Sequence, residues 1–246
     1  MNILLNGANG NMGKEVIEAS KNFKNINIVC GVDRDEGNIG FPVYNDIKNI
    51  KEKIDVIIDF SVPVATFNIL KYAVENKIPI VIATTGFNND ELLKIEDYSK
   101  QIPIFRSSNM SLDINLMANI VQKVAEVLKD SDIEIIETHH RRKVDSPSGT
   151  AILLADAINE VLENKKKYNF ERMQKREKRN DNEIGFSSIR GGNIVGEHTV
   201  AFMGDSETLE IKHTAYSRQV FAQGALRAAE FIKQQQSGLY DMKSIV

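Results

Sequence analysis

Residues 3 to 19 restrict most tightly what this chain can fold into. Ile3 to Asn6 is a short apolar run, Gly7-Ala8-Asn9-Gly10-Asn11-Met12-Gly13 follows, and Lys14 to Ala19 carries apolar residues at helical spacing. In a strand, turn and helix of this kind, glycines tighten the turn, let the backbone approach a pyrophosphate, and let the helix pack close to the sheet. The spacing is G-x-x-G-x-x-G, with Asn9 where the commoner dinucleotide pattern has its second glycine. The next strand-like run, Ile26 to Val32, ends at Asp33, 20 residues after Gly13, where an acid that binds ribose is expected. Arg34 follows at once. A carboxylate favours the 2′-hydroxyl of NAD and a guanidinium accepts the 2′-phosphate of NADP, so the pair predicts use of either cofactor. The plainer alternative is a turn with a solvated charge pair.

Further along, Ile54 to Phe60 is a near-continuous apolar run, as suits a strand buried on both faces. Ser61-Val62-Pro63 breaks it, and Ala65 to Glu75 resumes helical periodicity. Ile78 to Ala83 reads as a strand ending in Thr84-Thr85-Gly86-Phe87, Asn89 to Lys100 as a helix, and Ile102 to Phe105 as a strand leading into Arg106-Ser107-Ser108-Asn109-Met110. About five strands alternating with helices predict an α/β chain with a Rossmann-like, doubly wound parallel sheet, its binding crevice at the carboxyl ends of the strands. The loops Ala83-Thr84-Thr85 and Ser107-Ser108-Asn109-Met110 are expected to line that crevice beside the glycine turn, although ordinary β-α loop chemistry would look the same.

From Leu112 the pattern changes. Asn115 to Leu128 has the spacing of a long amphipathic helix and Ile133 to Thr138 that of a strand. Lys165 to Glu183 is densely charged and reads as an exposed, mobile excursion. Ile184 to Arg190, Ile194 to Met203 and Thr208 to Thr214, separated by turn signals, predict an antiparallel meander joined to strand 133–138. The second domain is therefore expected to be smaller and α+β, with a mixed open sheet. Its bare face, with Ile194, Val200 and Phe202, would favour self-association. Gln219 to Gln235 is an alanine-rich helix expected to return to the first domain. The predicted division is thus 1–110 with 220–246, and 111–219.

Chemistry concentrates in Glu137 to Ala151, ETHHRRKVDSPSGTA. His139, His140, Arg141, Arg142 and Lys143 follow the apolar Ile133, Ile135 and Ile136, and Ser146-Pro147-Ser148-Gly149-Thr150 leads into the helical period of Ala151 to Leu162. The reading is N-cap, proline in the first turn, then helix, with backbone N–H groups that favour an anion. Imidazole, ammonium and an anion cradle in one loop point to a small carboxylate or phosphate compound that is held and protonated. A solvated basic loop with a structural cap is the plainer alternative.

The net charge of -3 argues against nucleic acid or an anionic membrane as the main partner. One cysteine, Cys30, excludes an internal disulfide framework and a multi-cysteine metal site. No metal is expected. The N-terminus lacks a basic region with a long apolar core, and no apolar stretch approaches the roughly 20 residues that cross a bilayer, so a cytoplasmic protein is the default expectation.

Taken together, GANGNMG at 7–13, ATTGF at 83–87, SSNMS at 107–111, the 137–151 stretch, IGFSSIRGGNIVGEH at 184–198 and HTAYSRQVFAQGALRAA at 213–229 are similar to the 4-hydroxy-tetrahydrodipicolinate reductase (dihydrodipicolinate reductase) family over nearly the whole chain. The resemblance implies reduction of a cyclic, two-carboxylate hydroxy-imine by NADPH or NADH with loss of water, in diaminopimelate and lysine biosynthesis. At matching positions it implies His139 as catalytic acid/base, Lys143 as second proton donor, His140 as a substrate contact, and Ser148, Gly149 and Thr150 as the carboxylate cradle. Gly7, Ala8, Asn9, Gly10, Asn11, Met12, Asp33, Arg34, Ala83, Thr84, Thr85, Ser107, Ser108, Asn109 and Met110 match the cofactor contacts. It also implies a homotetramer formed through the second domain's sheet. Ala83 replaces the glycine of the usual G-T-T-G, Ser107-Ser108 the usual small pair, and Asp113 stands where glycine is common. A homoserine-dehydrogenase-like oxidoreductase would share the front half but has no reason to carry the 139–150 cluster. A module that only senses NAD(P) could dispense with His139 and Lys143.

Overall fold

The computed structural model describes residues 1–172 and 176–246. In the front of the chain come β1 (Asn2–Asn6), α1 (Asn11–Ser20), β2 (Asn27–Val32), β3 (Gly37–Asn38), β4 (Pro42–Tyr44), β5 (Val56–Asp59), α2 (Pro63–Glu75), β6 (Ile80–Ile82), α3 (Asn89–Ser99) and β7 (Pro103–Arg106). Then follow α4 (Leu112–Val127), β8 (Asp132–His139), α5 (Gly149–Val161), β9 (Lys167–Asn169), β10 (Glu183–Arg190), β11 (Gly196–Met203) and β12 (Thr208–Ala215). The chain ends with α6 (Gln219–Ile232) and β13 (Gly238–Tyr240). Two compact units result: Met1–Leu112 with Arg218–Val246, and Asp113–Ser217.

The first unit holds an eight-stranded sheet in the order β13-β7-β6-β5-β1-β2-β4-β3, parallel except where β3 meets β4. Its central strands are buried on both faces, and the two-residue side-chain period sorts them. Ile3, Leu5, Val56, Ile58 and Val81 join the core beneath α1 and α6, whereas Leu4, Ile57, Ile80 and Ile82 join the one that takes Ile69 and Leu70 of α2 and Ile95 of α3. Pro63 in the first turn starts α2, and a reciprocal capping box between Asn88 and Glu91 starts α3. The closest approach is made by α6: a Cβ at Gly224 would lie 1.7 Å from the Met110 carbonyl oxygen.

In the second unit a five-stranded sheet runs β12-β11-β8-β10-β9. Helices α4 and α5 cover one face, where Val121, Ala125, Leu154 and Ile158 meet Ile133, Ile135, Ile184, Val200 and Phe202. The expected meander forms in part: β11 and β12 make an antiparallel hairpin joined to β8, but β10 does not pair with β11. β10 lies parallel to β8, and β11 lies antiparallel to β8 on its other side, so residues 191–195 cross over the end of β8. Both topologies share the same local turn residues. The choice is made by the crossover from β8 through α5, which returns the chain parallel to β8. A second difference concerns Val200 and Phe202: they face the helices and are buried, while Glu197, Thr199 and Met203 occupy the opposite face. The charged stretch 165–183 is exposed at most of its described residues, as expected, yet it is also anchored. Its β9 pairs with β10, and Arg179 donates to Asp132, Glu134 and the carbonyls of Ile133 and Glu183, while Arg172 pairs with Glu183. Charge in this stretch therefore fastens it to the sheet edge. Residues 173 to 175, which also fall in that expected excursion, lie outside the described residues.

Alanine is the better helix former by about 1 kcal/mol, yet overpacking costs about 1–3 kcal/mol, and at 1.7 Å from a backbone oxygen nothing flexible can yield. Gly224→Ala is therefore expected to lower the urea midpoint of unfolding, where propensity alone would raise it.

Candidate functional site

In the first unit, the chain leaves β1 for β2 on one side and later adds β5 on the other, which makes the β1 end the point where strand order reverses. Gly7, Gly10, Asp33 and Arg34 line a cavity of about 660 Å³ there with Phe60 and Ser61, a volume ordinary for a small-ligand pocket. Gly7 has φ +83°, and a Cβ on it would lie 2.4 Å from the Phe60 carbonyl oxygen. A side chain is therefore excluded at Gly7 on two counts. Asp33 ties the turn to β2: it accepts the Asn9 backbone N–H at 2.8 Å on one oxygen and the Arg34 N–H at 2.7 Å on the other. Ala8 is fully buried, so only its backbone can face a ligand, while Met12 is partly buried against the core.

The neighbouring strand ends are held by Asp59, a carboxylate with no exposed surface. It accepts hydrogen bonds from Asn6 Nδ2 (2.7 Å), Ser61 Oγ (2.5 Å), Thr66 Oγ1 (2.5 Å) and Thr84 Oγ1 (2.9 Å). Burial raises its pKa, and these four donors oppose that rise. Thr84 is thereby turned into the sheet as a strut. Asn109 N donates to Ser107 Oγ and Ser111 N to Asn109 Oδ1, tightening the loop after β7, and Met110 is buried. Ala83, Thr85 and Ser108 stand at these same strand ends but are not among the cavity's lining residues.

The second unit gathers the predicted cluster at the end of the stripe that β8 turns toward the helices. Ile133 and Ile135 are apolar members of that stripe; the next two, Glu137 and His139, are ionisable and still buried. Glu137 is 1% exposed, and its Oε2 lies 2.5 Å from His139 Nδ1. Arg190 on β10 grips both its oxygens, at 2.8 and 2.6 Å, and the Ser148 backbone N–H adds a bond at 3.2 Å. Burial alone would raise the Glu137 pKa, but Arg190, Ser188 and His139 more than offset it and bring it down to about 2. For His139, burial is the largest influence and lowers its pKa, while Glu137 works in the opposite direction. Its ring meets that of His198 edge-on at 5.1 Å. His198 is held neutral, chiefly by burial, with its pKa down to about 3, and its Nε2 lies 2.8 Å from Ser148 Oγ.

Ser148, and not Ser146, is the N-cap of α5: its Oγ accepts the Ala151 N–H at 3.2 Å. The expected proline in the first turn instead precedes the cap, across a cis Ser146–Pro147 bond. Gly149 and Thr150 are the first two residues of the helix, where the positive end of its dipole favours an anion. Lys143 is paired with Asp145, both oxygens at 2.8 Å from Nζ. The crossing loop fixes the cluster from above: Gly191 N donates to His139 O, His140 N to Ile194 O, and Arg142 to the Asn193 side chain. His139, His140, Lys143, Ser148, Gly149 and Thr150 thus belong to one unit, as their sequence proximity implied. Glu137, Arg190 and His198 were missed. Glu137 could have been found, since it is two residues from His139 on a strand and must share its face. Arg190 and His198 carry no local signal, because only the β10-β8-β11 order brings them there.

The depressed Glu137 pKa ties stability to pH. Its folded pKa, about 2, lies below the ordinary 4.5, so this contribution is present above pH 4.5 and is lost as pH falls toward 2. A depression of that size is worth on the order of 3 kcal/mol. Urea unfolding followed between pH 5 and 2 is expected to show that loss, and Arg190→Met is expected to lower stability at pH 7 and flatten the dependence below it.

Comparison with known proteins bears on both units. The family model described as dihydrodipicolinate reductase, N-terminus, matches residues 1–110, and that described as dihydrodipicolinate reductase, C-terminus, matches residues 113–246. The 4-hydroxy-tetrahydrodipicolinate reductase of Caldanaerobacter subterraneus subsp. tengcongensis is 50% identical over 244 residues, 99% of this chain and 97% of that one. The protein of the same name from Clostridium tetani is 49% identical over 242 residues, 98% and 94% respectively. A solved dihydrodipicolinate reductase from Paenisporosarcina sp. TG-14, with dipicolinate bound, shares the fold with a TM-score of 0.82 at 24% identity, covering 100% of this chain and 99% of that one. The chain belongs to the dihydrodipicolinate reductase family.

Proposed function

We propose that this chain catalyses the NAD(P)H-dependent reduction of 4-hydroxy-tetrahydrodipicolinate to tetrahydrodipicolinate, with loss of water, in diaminopimelate and lysine biosynthesis. Family membership brings the reaction, and one observation carries the site. A histidine hydrogen-bonded to a buried carboxylate shares its unit with a helix start, where Ser148 is the cap and Gly149 and Thr150 the first residues. When bound, the reduced nicotinamide supplies the hydride. The residues present suit such a group: the pocket after β1 is shaped by glycine at position 7, and Asp33 and Arg34 line it. Gly7 to Met12 would follow its pyrophosphate, and Asp33 and Arg34 would meet its 2′ position. The loops at Ala83 to Thr85 and Ser107 to Met110 would continue the surface toward the nicotinamide.

Hydride addition to a conjugated ring leaves negative charge on the ring skeleton, which an acid must quench. His139 delivers that proton, and Lys143 is the second proton donor. The start of α5 grips one carboxylate of the substrate through backbone N–H groups, and His140 completes the contacts. Hydride donor and acceptor are thus proposed to bind to different units, and catalysis requires that the two be held in one reactive geometry. Assembly into a homotetramer through the bare face of the second sheet belongs to the same proposal. Ile189 and Met203 are its exposed apolar members.

Two substitutions separate the parts of this reading. His139→Gln is expected to lower kcat by about 10²–10⁴-fold while cofactor affinity stays within about twofold, measured by loss of NADPH absorbance with freshly generated substrate. Near-normal turnover would remove His139 from the acid role. Arg34→Ala is expected to weaken NADPH more than NADH in direct titrations, and equal losses would reject the 2′-phosphate contact.

A further inference from the structure

His139 has two ring nitrogens, and the acid role alone does not say which one faces the substrate. Its surroundings do. Nδ1 is taken by Glu137 Oε2 at 2.5 Å. Glu137 is the most buried charged group near it and has no freedom to turn away, because Arg190 holds both oxygens and the Ser148 N–H a third direction. On the other side of the ring, a Cβ built on Gly196 would lie 3.0 Å from His139 Nε2 and 3.4 Å from Cδ2. Any larger residue at 196 would press on that nitrogen, so glycine there keeps it clear.

We propose that Glu137 and Arg190 are positioning residues for this reaction: the carboxylate takes the Nδ1–H of His139, fixing the tautomer and ring orientation in which Nε2, kept clear by Gly196, delivers the proton. The inference rests on His139 being the acid. An ionised carboxylate on Nδ1 orients the ring and stabilises the imidazolium, so that the proton lost from Nε2 leaves a neutral Nδ1–H imidazole still bonded to Glu137. Arg190 keeps Glu137 from taking that proton itself. The other charged and titratable groups near the ring are Lys143, paired with Asp145, and His198, itself faced by His213. Lys143 and Arg190 both disfavour the imidazolium, and so does burial; Glu137 is the group that favours it.

The test uses the full chain with its histidines labelled with ¹⁵N. In the unsubstituted protein, above the titration of His139, its ring is expected as a single neutral tautomer with hydrogen on Nδ1; hydrogen on Nε2 overturns the inference with no variant needed. Glu137→Gln is expected to move the alkaline limb of the kcat profile down by about one pH unit or more, because the one influence holding the proton on is gone. It should also lower kcat at pH 8 by at least about tenfold with NADPH affinity unchanged. Glu137→Asp, which keeps the charge, should return the limb toward its original place. A structural role alone would reduce the folded fraction and leave the limb unmoved in both variants, and that result also overturns the proposal. Should Glu137→Gln not fold, Gly196→Ala carries the kinetic test: kcat per folded enzyme is expected to fall about tenfold with cofactor affinity preserved, and unchanged turnover counts against the proposal. Failure of the acid role itself would show separately, as turnover retained in His139→Gln whatever the tautomer.

Discussion

A carboxylate removed from water has to be matched by donors or give up its charge, and the end of the second unit's sheet is arranged around that requirement at Glu137. Isolated at 1% exposure it would cost several kcal/mol to ionise. Here the Arg190 fork, the Ser148 N–H and the His139 ring meet it from three different elements: β10, the start of α5 and β8 itself. The same contacts that keep the charge therefore fix β10 beside β8, set the start of α5 above the strand end, and orient the ring of His139. Removing any one donor leaves the others around a charge that the interior cannot solvate.

The first unit meets a similar requirement with neutral donors. Asp59 ends β5 and collects Asn6 from β1, Thr66 from α2, Ser61 from its own loop and Thr84 from the loop after β6. No cation faces it among these contacts, so its charge is supported by dipoles alone and burial still raises its pKa. The difference suits the two places. At Asp59 the hydrogen bonds tie together the strand ends that border the pocket lined by Gly7 and Asp33, whereas at Glu137 a paired charge is transmitted to an imidazole.

Much of this could be read along the chain, because the signals are local. The strand, glycine turn and helix at 2–20 formed as their residues dictate, and the alternation of apolar runs with helical periods gave the doubly wound sheet. What could not be read depends on which strands become neighbours. EIGFSSIR has the same pattern whether β10 pairs with β11 or lies on the far side of β8, and Arg190 reaches Glu137 only in the second case. Val200 and Phe202 looked available for a bare face because alternation says that residues share a side, but not which side the helices cover. β13, a three-residue edge strand, has too few residues to announce itself against the background of a C-terminal segment. Ser146 and Ser148 are equally good caps by composition, and Ser148 is selected by its approach to Ala151 and His198.

Four histidines lie in the chain, and the structure treats them differently enough to argue which one can carry a proton to a substrate. His198 is buried, its pKa down to about 3, and it faces His139 without a carboxylate of its own, so at neutral pH it serves as a hydrogen-bond partner of Ser148. His213 is lowered by burial, with Asp113 as its counterweight. His140 is anchored through its backbone to Ile194, with Nδ1 buried and no partner for it among the described residues. His139 alone joins a depressing environment to a carboxylate in direct hydrogen-bond contact, which is the combination that lets an imidazole gain and lose a proton without leaving its place. Adjacent in sequence, His139 is the last residue of β8 and rests on Glu137, whereas His140 lies beyond the strand with its backbone on Ile194, so the doubled histidine does not place the two rings in equivalent surroundings.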